Sequence, residues 1–115
     1  MTKSTIRIDV TLDDNKMPEN ISWNASETTA ENDRNARAFM LSLWDPTDRS
    51  ALRIDLWTKA MMVDEMADFF YQTFMTMADT YDRATRHQDL SDDIRKFAKD
   101  FYAKFKEQQM KQGKL

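Results

Sequence analysis

The chain has 115 residues, of which 41% are hydrophobic and 32% charged, and its seventeen Lys and Arg against twenty Asp and Glu leave a formal charge of -3. That suffices for one folded domain with one core, is too apolar for a wholly disordered chain, and gives no pull toward the phosphates of nucleic acid. With no cysteine and a single glycine, Gly113, the sequence excludes disulfides, thiolate chemistry, Cys-based metal sites, Gly-rich phosphate loops and dinucleotide fingerprints.

The chain opens Met1-Thr2-Lys3-Ser4-Thr5-Ile6-Arg7-Ile8-Asp9, with charges where a signal peptide needs an apolar stretch, and no run reaches membrane-spanning length. A cytoplasmic protein without membrane insertion is expected. Ile6, Ile8, Val10 and Leu12 alternate with Arg7, Asp9 and Thr11, the two-residue period of a strand with one buried and one wet face. Asp13-Asp14-Asn15-Lys16 supplies turn chemistry, and Pro18 blocks regular ladder pairing just before a short strand around residues 20 to 24, with Ile21 and Trp23 facing inward. Residues 26 to 35 are polar and without period, and are expected to form a mobile loop.

Two further strands are predicted over residues 36 to 44 and 51 to 58, joined by Asp45-Pro46-Thr47-Asp48-Arg49-Ser50. As an antiparallel hairpin they would set Leu43 opposite Leu52, Leu41 opposite Ile54 and Phe39 opposite Leu56 on one apolar face. The other face would carry Ala38, Met40, Ser42 and Trp44 against Trp57, Asp55, Arg53 and Ala51. Cover by the polar loop and a subunit or partner interface account equally well for Trp44 and Trp57 there.

Beyond Lys59 the period becomes helical. Val63, Met66, Phe70, Phe74, Met77 and Tyr81 form a stripe flanked by Ala67 and Ala78, with Asp64, Glu65 and Asp68 at the positive end and Arg83, Arg86 and His87 at the negative end. Met62, Phe69 and Met75 lie off the stripe, where packing and partner binding are equally open readings. Asp89-Leu90-Ser91-Asp92-Asp93 interrupts the pattern and offers Asp89 or Ser91 as the cap of a second helix with a narrower stripe of Ile94, Phe97, Ala98, Phe101 and Phe105. Order is expected to fade after about residue 108, leaving a frayed tail over about 109 to 115.

No catalytic, cofactor-binding or metal-ligating residue emerges. His87, the only histidine, reads as a helix-terminus charge, and the pairs Asp13 with Asp14 and Asp92 with Asp93 read as turn and cap residues rather than as metal ligands or acid-base pairs. The basic residues of the last helix, interrupted by Asp100 and Glu107, read as a solvated face.

The segments Leu41-Ser42-Leu43-Trp44-Asp45 and Ile54-Asp55-Leu56-Trp57-Thr58-Lys59, followed by Val63-Asp64-Glu65-Met66, resemble the gliding-motility-associated GldC family. Ala78-Asp79-Thr80, Asp92-Asp93-Ile94, the opening Lys3-Ser4-Thr5-Ile6-Arg7-Ile8-Asp9-Val10 and Ile21-Ser22-Trp23 extend the resemblance over nearly the whole chain. It implies a small cytoplasmic accessory protein of gliding bacteria without catalytic residues, supporting a lipoprotein of the motility apparatus. The expected element order is also similar to that of the export chaperone SecB, which implies an alternative role in holding unfolded clients.

The sequence thus predicts a single α+β domain: a four-stranded antiparallel sheet followed by two helices packed on one face, burying Ile8, Val10, Leu41, Ile54, Leu56, Phe70 and Phe74. A non-enzymatic protein-binding role, in a dimer or larger homo-oligomer, is expected to use Met40, Trp44, Trp57, Met62 and Phe69.

Overall fold

The computed structural model describes residues 2–26 and 33–113. The chain divides into two units, Met1–Met61 and Met62–Leu115.

In the first unit, β1 (Ile6–Leu12) pairs antiparallel with β2 (Pro18–Ala25), setting Val10 opposite Ile21 and Ile8 opposite Trp23. The alternation of β1 explains the pairing: Ile8 and Val10 are half-buried, while Arg7 and Asp9 stay in solvent and form an ion pair at 2.9 Å. Ile21, only 1% exposed, is the anchor of this sheet. At the turn end Thr11 faces Asn20 but Leu12 faces Pro18, so Glu19 is an extra residue where proline cannot donate to the ladder. The turn is built on Asp13, whose Oδ1 accepts from the backbone N–H groups of Asn15 at 2.8 Å and Met17 at 3.0 Å, with Lys16 in the left-handed region at φ 62°.

A third strand, β3 (Arg34–Ala36), pairs with the other edge of β2, with Ile21 opposite Ala36 and Trp23 opposite Arg34. It falls in and just beyond the segment expected to be a mobile loop, whose residues 27–32 lie outside the described residues. Polar Arg34 and Asn35 become strand because the free edge of β2 offers backbone partners, a cause that side-chain pattern does not carry.

After a bend at Arg37 the chain continues as β4 (Ala38–Asp45) and returns as β5 (Ser50–Trp57), with Arg49 left-handed in the turn at φ 51°. Their register is the predicted one at every pair, including Leu43 with Leu52, Leu41 with Ile54 and Phe39 with Leu56. The sheet as a whole is not. Strands β1, β2 and β3 form one antiparallel sheet and β4 with β5 another, in place of a single four-stranded sheet. The bend divides the expected strand of residues 36 to 44 so that its two parts pair with different neighbours. The hairpin is held at its base: Thr58, 3% exposed, donates its N–H to the carbonyl of Arg37 at 2.8 Å, and the Arg37 guanidinium donates to the carbonyl of Ala60 at 3.4 Å.

The second unit is a helical hairpin of α1 (Val63–Thr85) and α2 (Gln88–Lys111). Helix α1 starts where the N–H of Met62 donates to the Glu65 carboxylate at 3.2 Å, with Asp64 and Glu65 in the first turn and Arg83 in the last. Its threonines fit by donating back to carbonyls one turn earlier, as Thr73 does to Phe69 at 2.7 Å and Thr85 to Tyr81 at 2.8 Å. The break comes at Arg86, left-handed at φ 63°. Asp89 and Ser91 are therefore not caps: α2 begins before them, and the buried Ser91 hydroxyl donates to the His87 carbonyl at 3.2 Å. Helix α2 runs past residue 108 and buries Gln109.

The seam between the helices is narrower and differently placed than the predicted stripe. Ala67, Ala78, Ser91 and Ala98 are its buried residues. Phe74 sets its ring edge-on to Phe97 and Phe101 at 5.4 and 5.6 Å, and Tyr71 stacks on Tyr102 at 4.7 Å. Small side chains allow the close approach, so the helices turn toward their alanines and leave bulkier residues on the flanks. Two of the residues expected in the core are accordingly open, Ile54 at 53% and Phe70 at 36% exposure, while Ile8, Val10, Leu41, Leu56 and Phe74 are only half-buried.

Candidate interaction surfaces

Side chains alternate along a strand, so the register of β4 and β5 sorts the hairpin into two faces. One carries Phe39, Leu41, Leu43, Leu52, Ile54 and Leu56, with Asp45 its one charge at the turn end, and Leu43, Leu52 and Ile54 are more than half exposed. The other carries Met40 and Trp44 from β4 and Trp57 from β5 around an ion pair, in which Arg53 donates Nε and Nη2 to the two oxygens of Asp55 at 3.1 and 2.9 Å.

On this second face Trp44 is 62% and Trp57 58% exposed, and Met40 is half-buried. Trp44 stands opposite Ala51 near the tip of the hairpin and Trp57 opposite Ala38 at its base. At the rise of a strand residue this places them about 20 Å apart, two separate anchors with the Arg53–Asp55 pair between them. Trp57 also walls an apolar cleft of about 230 Å³ shared with Met17, Pro18 and Leu56. A smaller side chain from a binding partner could seat there against the indole.

Near the base of the hairpin, the turn residue Asp13 accepts a hydrogen bond from the ammonium of Lys59, just past β5. That bond, with the N–H groups of Met17 and Asn15, holds the Asp13 carboxyl below its ordinary range, and the carboxylate raises the Lys59 ammonium above its own. The charges are thus committed to joining the β1–β2 turn to the end of β5.

The remaining predicted residues belong to α1. Met62 is 60% exposed at its N-terminus, and half-buried Phe69 sets its ring edge-on to Phe70 at 6.5 Å. Met40, Trp44 and Trp57 therefore share one face of the sheet unit, and Met62 with Phe69 one flank of the helical unit. A further exposed set on the helices was assigned to packing by the sequence: Val63, Phe70 and Met77 on α1 and Phe97 on α2. Their recurrence at every seventh position on α1 was the signal available. The opposite flank is polar, with Tyr102 donating to Asp68 at 2.5 Å, which raises the phenol's pKa, and Lys106 lying 4.7 Å over the Tyr102 ring. Nearer the turn, Arg95 bridges Asp79 and Asp92 at 2.9 and 2.8 Å.

No helix among the described residues is long and apolar enough to cross a membrane, and these residues contain no group of three or more His, Asp or Glu placed to hold a metal ion. Comparison with curated proteins and with solved structures finds no match to either. The sequence model of a family described as gliding motility-associated protein GldC-like matches residues 18–107, a span that includes β2 to β5, α1, α2 as far as Glu107, and every residue of the candidate surfaces except Met17 and Asp13.

Proposed function

From the premise that the chain belongs to the gliding motility-associated GldC-like family, we propose that it is a non-enzymatic accessory subunit that binds another protein through the face bearing Met40, Trp44 and Trp57. The partner in this reading is an envelope lipoprotein of the motility apparatus, reached from the cytoplasmic side, with neither nucleic acid nor membrane insertion involved. The observation that carries it is the pair of exposed tryptophans on either side of the Arg53–Asp55 ion pair. Tryptophan and arginine dominate the energetics of protein interfaces, and Trp57 stands beside an apolar cleft able to receive a partner side chain. The test is co-purification from the native cell, read by mass spectrometry, with Trp44→Ser and Trp57→Ser as controls. One dominant motility lipoprotein, lost in both variants while their melting temperatures stay near the parent's, supports the reading. Unchanged capture in both variants removes it.

A second reading rests on the opposite face, where Leu43, Leu52 and Ile54 are exposed side by side and the one charge, Asp45, stands at the turn end. Such a surface suits a holdase that grips unfolded chains, in the manner of the export chaperone SecB. Many unrelated unfolded clients in the same experiment, released by Leu52→Ser and not by Trp44→Ser, would select it.

A further inference from the structure

Helix α1 carries two apolar stripes where one hairpin seam needs only one. The seam follows Ala67, Tyr71, Phe74 and Ala78, while Val63, Phe70 and Met77 recur at heptad spacing about 70° around the helix. They are 76%, 36% and 53% exposed. The stripe extends onto α2 through the ring contacts of Phe70 with Phe74 and of Phe74 with Phe97, itself 55% exposed. A helix with two seams is the element from which four-helix bundles are made, one seam for the hairpin mate and the other for a second hairpin.

We infer that the occupant of this second seam is another copy of the same chain, with α1 antiparallel to α1 of the partner about a two-fold axis passing between Thr73 and Phe74. The sequence of the stripe is self-complementary about that point. The axis sets Phe70 across from Met77 and Val63 across from Ala84, so that apolar residues meet apolar residues from both directions.

The area is adequate as well. The four exposed side chains, with Leu90 one heptad before Phe97 and 46% exposed, offer on the order of 450 Å² of apolar surface per copy. Apolar atoms make up about three fifths of an interface, which implies about 750 Å² per partner, the standard size for a specific association. This inference stands on residues of the helical unit and the tryptophan-face reading on residues of the sheet unit, so either can fail without the other.

Sedimentation equilibrium on the full chain tests it. The parent should be a dimer, and Met77→Glu, altering a side chain already half in solvent, should weaken it by at least about tenfold while leaving helix content unchanged. Because the chain has no cysteine, Thr73→Cys gives a single thiol beside the axis, and mild oxidation should join two copies through it in high yield. A parent that stays monomeric or a dimer indifferent to Met77→Glu would overturn the assignment, as would a thiol at Trp44→Cys cross-linking where Thr73→Cys does not.

Discussion

The β1–β2–β3 sheet and the β4–β5 hairpin share one unit and one kind of pairing, yet they dispose of their apolar residues in opposite ways. In the first, the ladder converges on Ile21, which is 1% exposed, and the outward positions Arg7 and Asp9 are charged. In the second, Leu43, Leu52 and Ile54 on one face and Trp44 and Trp57 on the other are all more than half exposed. A two-stranded ribbon has too little surface to cover either of its own faces. The lesson is that accurate strand pairing and formation of a core are separate events: the hairpin achieves the first without the second, and both of its faces stay open. The helical hairpin repeats the contrast, with alanines buried in the seam and phenylalanines on the flank.

The largest effect that sharpens this contrast comes from truncating an isoleucine on each side of it. Ile21→Ala should cost about 2–5 kcal/mol in urea denaturation, the range for a buried large-to-small change, whereas Ile54→Ala should stay within about 1 kcal/mol. Equal losses would mean that the hairpin face is covered in solution. In the helices, Ala78→Leu should cost about 1–3 kcal/mol because the seam at a fully buried alanine has no room for an isobutyl group. The neighbouring Met77→Leu, on the open flank, should be close to neutral by the same measurement.

The smallest effect concerns the Asp13–Lys59 pair that links the turn of the closed sheet to the end of the open hairpin. Because the Asp13 pKa is lowered on folding, its contribution is complete above the ordinary Asp value of about 3.9 and is lost as pH falls through the lower folded value. Lys59 is raised, so its contribution is lost only as pH rises through its folded value, above the ordinary lysine range. The melting temperature of the parent should therefore drop in acid more steeply than that of Asp13→Asn, with the two profiles parallel near neutrality. An identical acid slope in both proteins would show that the pair does not tie the two regions together.

The legibility of the fold followed the same division. The pairing of β4 with β5 could be read residue by residue because Leu43, Leu52, Leu41 and Ile54 alternate with polar neighbours around a short turn of known chemistry. Strand β3 could not, since Arg34 and Asn35 owe their conformation to a backbone edge and not to their side chains. The helical seam was misplaced because pattern reading weights large apolar residues, while packing distance rewards Ala67, Ala78 and Ala98. Of the candidate surfaces, the tryptophan face was visible in sequence once the register was known. The cleft beside Trp57 was not, because Met17 and Pro18 come to β5 only through the tertiary course of the chain.

The left-handed positions Lys16, Arg49 and Arg86 have a consequence for how the protein can evolve. Each turn places a long charged L-residue where its Cβ crowds the backbone, at a cost of about 1 kcal/mol apiece. Their sum is a sizeable fraction of the 5–15 kcal/mol by which a small protein holds its fold. The molecule therefore carries an unused reserve at three exposed turns. Glycine at those sites could absorb the destabilisation of new residues on the exposed faces, so those faces have room to diversify before folding fails.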